Sequence, residues 1–191
     1  MTAPLPDLAE EYQRRCRADS DIREYLPLLH GYACLYPGVR VLEVGVRSGN
    51  STVAFLLAAQ AMGGHVWSVD IDDVRDRPEG IGPWRDHPAW TFTQGDSTHP
   101  AVTSKQPHQV DVLFLDGDHG KQKVLDELAA YFPRVQPGGV ALLHDTRIRW
   151  PGEPDGTWPV TRALDEWCQA TGLHWQELPG SYGMGVVVKP W

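Results

Sequence analysis

Long apolar runs are missing from this sequence. The longest, at residues 110–115 and 140–143, are strand-sized and far short of the ~20 residues that a membrane helix needs. Cysteine is scarce: Cys16, Cys34 and Cys168 form no CxxC pair, which argues against a disulfide framework and a zinc–thiolate cluster and for three reduced thiols. Basic residues are outnumbered, 17 Lys and Arg against 25 Asp and Glu, for a formal charge of −8. That balance disfavours nucleic acid, whose binding rests on neutralising phosphates. Repeats and low-complexity tracts are also absent. Residues 1–7 show no basic segment followed by an apolar one, so a cytoplasmic location is the expectation.

What remains is an ordinary folded composition, 41% hydrophobic and 22% charged over 191 residues, enough for a single domain. Short β-rich runs occur at residues 39–45, 65–70, 90–94, 110–116 and 140–144, several followed by helical patterns. Such alternation predicts an α/β fold with a mostly parallel sheet. Residues 174–178 and 184–189 are separated by only five residues. A parallel crossover needs a dozen or more, so these two runs are expected to form an antiparallel hairpin. Helical spacing predicts helices over 5–18 and 21–35, the second capped by Asp19 or Ser20, and together they form an N-terminal cap (1–36) on a core (37–191). Further helices are expected from Asn50 to before Gly63 and from Lys121 to before Pro137. The turn Pro137-Gly138-Gly139 is expected to launch the next strand.

Glu43-Val44-Gly45-Val46-Arg47-Ser48-Gly49 lies where the first strand gives way to a helix. Glycines let a backbone pass close to a ligand, and the following helix N-terminus offers free N–H groups. The spacing is GxxxG rather than GxGxxG, and no Lys-Ser/Thr pair follows Gly49, so neither the dinucleotide nor the P-loop pattern is met. With Glu43, Gly45, Gly49 and Ser51, the E-V-G-x-x-x-G segment resembles the leading motif of class I S-adenosylmethionine-dependent methyltransferases. The resemblance implies a Rossmann-like fold with a seven-stranded, mostly parallel sheet, helices on both faces and a C-terminal antiparallel hairpin. Asp70, closing the second strand, is placed to accept both ribose hydroxyls, with Asp72 and Asp73 as rivals. The resemblance also puts Asp96 and Ser97 near the adenine, although Asp96 equally suits a helix cap.

Two acidic clusters follow at strand ends, Asp116-Gly117-Asp118-His119 and His144-Asp145-Thr146, the position where open α/β sheets place their sites. The pairing is similar to the small bacterial metal-dependent O-methyltransferases that modify catechols, sugars and other natural-product hydroxyls, and the similarity runs over roughly residues 20–189. It implies that Asp116 and Asp145 hold a divalent cation, magnesium or manganese, and that Asp116 also belongs to the cofactor site. A cation acidifies a bound hydroxyl and orients it for attack on the methyl sulfonium. His119 is the preferred general base, since imidazole titrates near neutrality, and Asp118 is the alternative. His144 stands where sugar-modifying relatives carry an acid. It either leaves magnesium with fewer ligands, shifts the preference toward manganese or iron, or ligates nothing. Thr146 is a weaker candidate ligand.

Loops at 75–88 and 147–159 read as pocket-shaping segments. Trp150, Trp158, Tyr32 and Tyr36 are candidate substrate walls, and Trp84 and His87 are candidate lid residues. The expected partner is a small hydroxylated molecule, and the two N-terminal helices suit a homodimer or larger homo-oligomer. The competing readings are a metal-independent methyltransferase, a cofactor-binding module without catalysis, and, more distantly, a nicotinamide oxidoreductase.

Overall fold

In the computed structural model, residues 7–77, 80–149 and 158–191 are described. Seven strands form one sheet: β1 (Arg40–Val44), β2 (His65–Asp70), β3 (Trp90–Gln94), β4 (Val110–Leu115), β5 (Val135–His144), β6 (Trp175–Leu178) and β7 (Met184–Val188). Their order is β3-β2-β1-β4-β5-β7-β6. The first five run parallel, and β7 pairs antiparallel with both β5 and β6. The mixed sheet with a terminal hairpin is the one that the sequence predicts.

Alternation along the central strands divides the core into two layers, because successive side chains point to opposite faces. Val41, Val112, Phe114, Val140 and Leu142 pack with the helices α1 (Leu8–Arg17), α2 (Leu26–Ala33) and α3 (Asn50–Met62). Leu42, Leu113, Leu115, Ala141 and Leu143 pack against α5 (Lys121–Tyr131) and α6 (Pro159–Thr171). A short helix, α4 (Pro100–Thr103), follows β3. α6 has no counterpart among the expected elements, although Val160, Ala163, Leu164 and Cys168 recur at helical spacing and are buried.

Two boundaries differ from expectation for physical reasons. Instead of one helix over 21–35, a 3₁₀ turn at Arg23–Tyr25 leads into α2 at Leu26. Pro27, which lacks an N–H, is tolerated in a first turn but not in a helix interior, so the helix restarts immediately before it. β5 begins at Val135 and runs through Pro137-Gly138-Gly139, because its extra residues bulge from the ladder between the Val110–Val135 and Val112–Val140 pairs with β4. Gly138, at φ +78°, makes that bend.

The N-terminal helices are fastened to the first strand's turn by a buried cation. Arg15 donates to the Ser48 carbonyl at 2.6 Å, to Asn50 Oδ1 at 2.9 Å and to the Gly80 carbonyl at 3.3 Å, while pairing with Glu11 on its own helix. Removing it strands several buried acceptors at ~1 kcal/mol or more each. Arg15→Ala is therefore expected to lower the free energy of urea unfolding by ~2–4 kcal/mol. Arg14→Ala, which removes an exposed Glu11 pair, should cost less than ~1 kcal/mol; equal losses would contradict the anchoring role.

Candidate active site

A cavity of about 700 Å³ opens at the carboxyl ends of β1 to β5. It lies over the point where strand order reverses between β1 and β4, where doubly wound sheets bind ligands. Gly45 sits there at φ +89°, and a Cβ on it would stand 2.1 Å from the Asp116 carbonyl oxygen. Only glycine permits the turns after β1 and β4 to touch.

Asp70 lines the cavity and also organises the loop: its Oδ2 accepts from the Val46 and Arg47 amides at 2.9 Å each, and its Oδ1 from the Asp72 amide at 2.9 Å. Carboxylate oxygens have further lone pairs, so this locked carboxylate can still accept hydroxyls from a ligand. Asp72 and Asp73 instead pair with Arg77 and Arg75 at the surface. Asp96 and Ser97 line the cavity too, Asp96 paired with Lys123 and accepting from the Thr98 amide at 2.9 Å.

Glu43, Gly49 and Ser51 do not line the cavity. Glu43 is fully buried and accepts from Ser51 Oγ at 2.6 Å, Thr52 Oγ1 at 2.7 Å and Ser68 Oγ at 2.6 Å. It ties β1 to β2 and to the first turn of α3, so Glu43 and Ser51 support the glycine loop from behind. Gly49 supplies the left-handed residue, φ +73°, before α3 and packs on Ile81.

The acidic clusters converge. Ligand atoms of Asp116, His144 and Asp145 all lie within 4.8 Å of one another. His144 Nδ1 is 3.1 Å from Asp116 Oδ1 and 3.2 Å from Asp145 Oδ1, and His119 Nε2 is 3.4 Å from Asp116 Oδ1 and 3.2 Å from Asp145 Oδ2. Burial works against the charge on Asp116, but the two imidazoles prevail and bring its pKa down to about 2. Burial likewise opposes charge on both histidines, and the facing carboxylates nonetheless raise their proton affinity. Asp145 is shifted up by burial. It also holds a left-handed φ of +64°, a conformation costing an L-residue roughly 1–2 kcal/mol, and strain of this kind gathers at functional sites. His144 is positioned by an edge contact with Tyr25 at 5.6 Å and by stacking on Tyr182 at 6.0 Å.

Asp118 is exposed and accepts from the Gly120 amide at 2.8 Å, shaping the entry to α5. Thr146 is no part of the cluster: it is buried, and its hydroxyl donates to Glu177 at 3.0 Å, on the far side of the strand end. Tyr36 donates to the Gly138 carbonyl at 2.9 Å and packs on the core with Tyr32; neither reaches the cavity. Trp84 is buried, and His87 accepts from the Ala89 amide at 3.2 Å, so the segment carrying them forms core and turn rather than a lid. Trp158 precedes α6 away from the cavity, and Trp150 lies outside the described residues. The cavity wall instead includes Asp21, Arg47, Ile148, Tyr182, Lys123 and Glu127. Arg47 comes from the glycine turn and Ile148 from the loop after β5, both marked in the sequence as site-forming, whereas Asp21, Tyr182 and the α5 pair Lys123 and Glu127 carry no local signal.

The family model described as "Methyltransferase domain" matches residues 42–146. The glycine turn at a reversing sheet and the acid–imidazole cluster beside it define a class I methyltransferase, the S-adenosylmethionine-dependent class, and the chain belongs to this methyltransferase-domain family. Solved structures repeat the fold. A Corynebacterium glutamicum protein is 16% identical with a TM-score of 0.72, covering 100% of this chain and 93% of its own. TomG from Streptomyces achromogenes, an O-methyltransferase of tomaymycin synthesis solved with SAM, is 16% identical with a TM-score of 0.71, covering 97% and 91%. MycE, from the mycinamycin biosynthetic pathway and solved with Mg and SAH, is 23% identical with a TM-score of 0.66; the match covers 98% of this chain but 55% of MycE. No curated protein matches the sequence.

Glu43 gives the site's scaffold a pH dependence. Burial pushes its carboxyl up to about 7 from an ordinary 4.5, against the pull of three hydroxyl donors. A raised folded-state pKa means that the folded chain holds the proton more tightly. The stabilisation is full below pH 4.5 and is lost as pH rises through about 7, a span worth about 3 kcal/mol. Glu43→Gln should therefore gain stability relative to the unsubstituted chain by about that amount between pH 5 and pH 8 in urea titrations. Parallel stability curves would show that Glu43 does not titrate in this window.

Proposed function

We propose that this methyltransferase transfers the methyl group of S-adenosylmethionine to a hydroxyl of a small natural product or sugar in the cytoplasm, with a divalent cation bound by Asp116, His144 and Asp145. The observation that carries the reading is the convergence of these three residues at the ends of β4 and β5, with Asp116 and Asp145 lining the cavity that the glycine turn also borders.

The donor set fits a cation. Asp145 Oδ1 is buried with no hydrogen bond among the described residues and faces the His144 imidazole, at 3.2 Å, an oxygen that a cation would satisfy. The cavity is acidic, bordered by Asp21, Asp70, Asp96, Asp116, Asp118, Glu127 and Asp145 against Arg47 and Lys123, which suits both a sulfonium and a metal ion. Bound there, a divalent cation would acidify and orient the acceptor hydroxyl.

The chain's own residues supply the rest. Asp70, fixed by three backbone amides, holds the ribose. The Gly45 turn brings that end of the cofactor against the Asp116 segment. His119, its basicity raised by Asp116 and Asp145, takes the hydroxyl proton, and Asp118 is committed to the Gly120 amide. His144 puts an imidazole into a set that is otherwise oxygen, which favours manganese over magnesium.

Calorimetry with S-adenosylhomocysteine, followed by manganese and then magnesium, tests the reading directly: the nucleoside should bind, and manganese should bind tighter than magnesium. Asp116→Asn and Asp145→Asn keep the side-chain size, and Asn tolerates the left-handed backbone at 145. Each should lower turnover by ~10²-fold or more in a folded protein. Full turnover in excess EDTA would remove the metal from the mechanism, and absence of nucleoside binding would overturn the whole assignment.

A further inference from the structure

On α5, Lys123, Glu127 and Tyr131 recur at i, i+4 and i+8 and so share one helix face. All three reach the turn after β3. Lys123 pairs with Asp96 and donates to Thr98 Oγ1 at 2.8 Å, Ser97 Oγ donates to Glu127 Oε1 at 2.5 Å, and the Tyr131 hydroxyl donates to the Ser97 carbonyl. Gripping a loop this way explains Lys123 and Tyr131 completely. It does not explain Glu127.

Glu127 is 1% exposed, yet it borders the main cavity. A Cβ on Gly117 would stand 3.7 Å from its Oε1, so the carboxyl lies where the turn after β3 faces the turn after β4. Its bond to Ser97 uses Oε1 alone, and Oε2 makes no hydrogen bond among the described residues. A strut for Ser97 needs one acceptor, and Oε2 is the oxygen left open to the cavity that Glu127 borders. Burial pushes the Glu127 carboxyl up to about 7, so near neutrality the protonated form, which offers one donor and one acceptor side by side, is well populated. Sheet order fixes what meets it: β3 and β5 lie on opposite sides of β1. A nucleoside that presents its methyl toward the cluster at β5 and its ribose to Asp70 at β2 directs its base to the slot between Ser97 and Gly117.

Resting on the S-adenosylmethionine reading above, we propose that Glu127 is the residue that selects adenine, accepting a hydrogen bond from the exocyclic amino group and donating one to the adjacent ring nitrogen.

The test is calorimetric titration of the full chain with S-adenosylhomocysteine and S-inosylhomocysteine, whose base carries a carbonyl and a ring N–H at that edge. The unsubstituted protein should prefer the adenosyl compound by roughly 10²-fold, since a site built to bond one edge rejects its inverted counterpart. Glu127→Gln keeps a donor and an acceptor and should retain that preference within about tenfold, whereas Glu127→Leu should reduce it toward unity. Ser97→Ala removes the bond to Oε1 but not the carboxyl, and should keep the preference. Should Glu127→Leu fail to fold, the glutamine and Ser97 variants and the unsubstituted ratio still decide the matter. A Glu127→Leu protein that weakens both ligands equally would make Glu127 a strut and overturn the proposal alone, as would an unsubstituted ratio near one. Failure of the unsubstituted protein to bind either compound would overturn the cofactor reading and this proposal together.

Discussion

The backbone contact between Gly45 and Asp116 is the constraint on which the site depends. Strands β1 and β4 are neighbours whose following segments depart to opposite faces of the sheet, and the crevice between those departures is the only opening such a sheet offers. The Gly45 amide bonds to the Val69 carbonyl and the Asp116 amide to the Val44 carbonyl, each at 2.8 Å, so ladder bonding continues one residue past the strand ends. A side chain at 45 would collide with the Asp116 carbonyl and force the two turns apart. The glycine loop and the acid–imidazole cluster would then no longer share a wall. Glu43, Ser51, Thr52 and Ser68 hold the same turn from below, and Arg15 holds it from above.

Much of this was legible in the sequence because it is written in local signals. Period-2 alternation, glycine turns and the five-residue gap before β7 define the sheet and its hairpin, since strand pairing depends on pattern and loop length. Asp116, His144 and Asp145 were readable because each follows a buried strand, and strand ends in a parallel sheet point to one edge. Residues whose role depends on distant partners were not readable. Thr146 is adjacent to the cluster in sequence, but the tight turn at Gly183, at φ +80° and with a would-be Cβ 2.1 Å from Thr146 Oγ1, orients its hydroxyl toward Glu177. Glu127 carries no local signal, because its place depends on the turns after β3 and β4 closing around it.

The N-terminal segment shows the same limit at the level of secondary structure. Residues 21–35 carry a continuous apolar pattern, and periodicity alone cannot register that Pro27 has no amide to donate. The resulting 3₁₀ turn has a consequence for the site. It presents Tyr25 inward, where the ring meets His144 edge-on and the hydroxyl accepts from the Gly183 amide at 3.0 Å. It also leaves Asp21 beside Arg47 at the cavity rim, 2.6 Å apart. A regular helix through Pro27 would have rotated these side chains elsewhere, so the break before α2 belongs to the architecture of the cavity rim.

Electrostatics then separates the two ends of one acidic cavity. Asp116 is partly buried and Glu127 fully so, yet their pKa values part, one about 2 and the other about 7. Burial raises both. The difference is that His119 and His144 face Asp116, whereas Glu127 has a hydroxyl and only the more distant Lys123, which is itself paired with Asp96. Opposite charge within a few ångströms outweighs desolvation, and a neutral hydrogen bond does not. At one end Asp116 therefore stays ionised near neutrality and is suited to a cation. The other carries a carboxyl whose neutral form is well populated near neutrality, suited to the edge of a base. A single ligand that is cationic at its reactive centre and uncharged at its heterocycle matches both ends, which is the charge distribution of an adenosyl sulfonium.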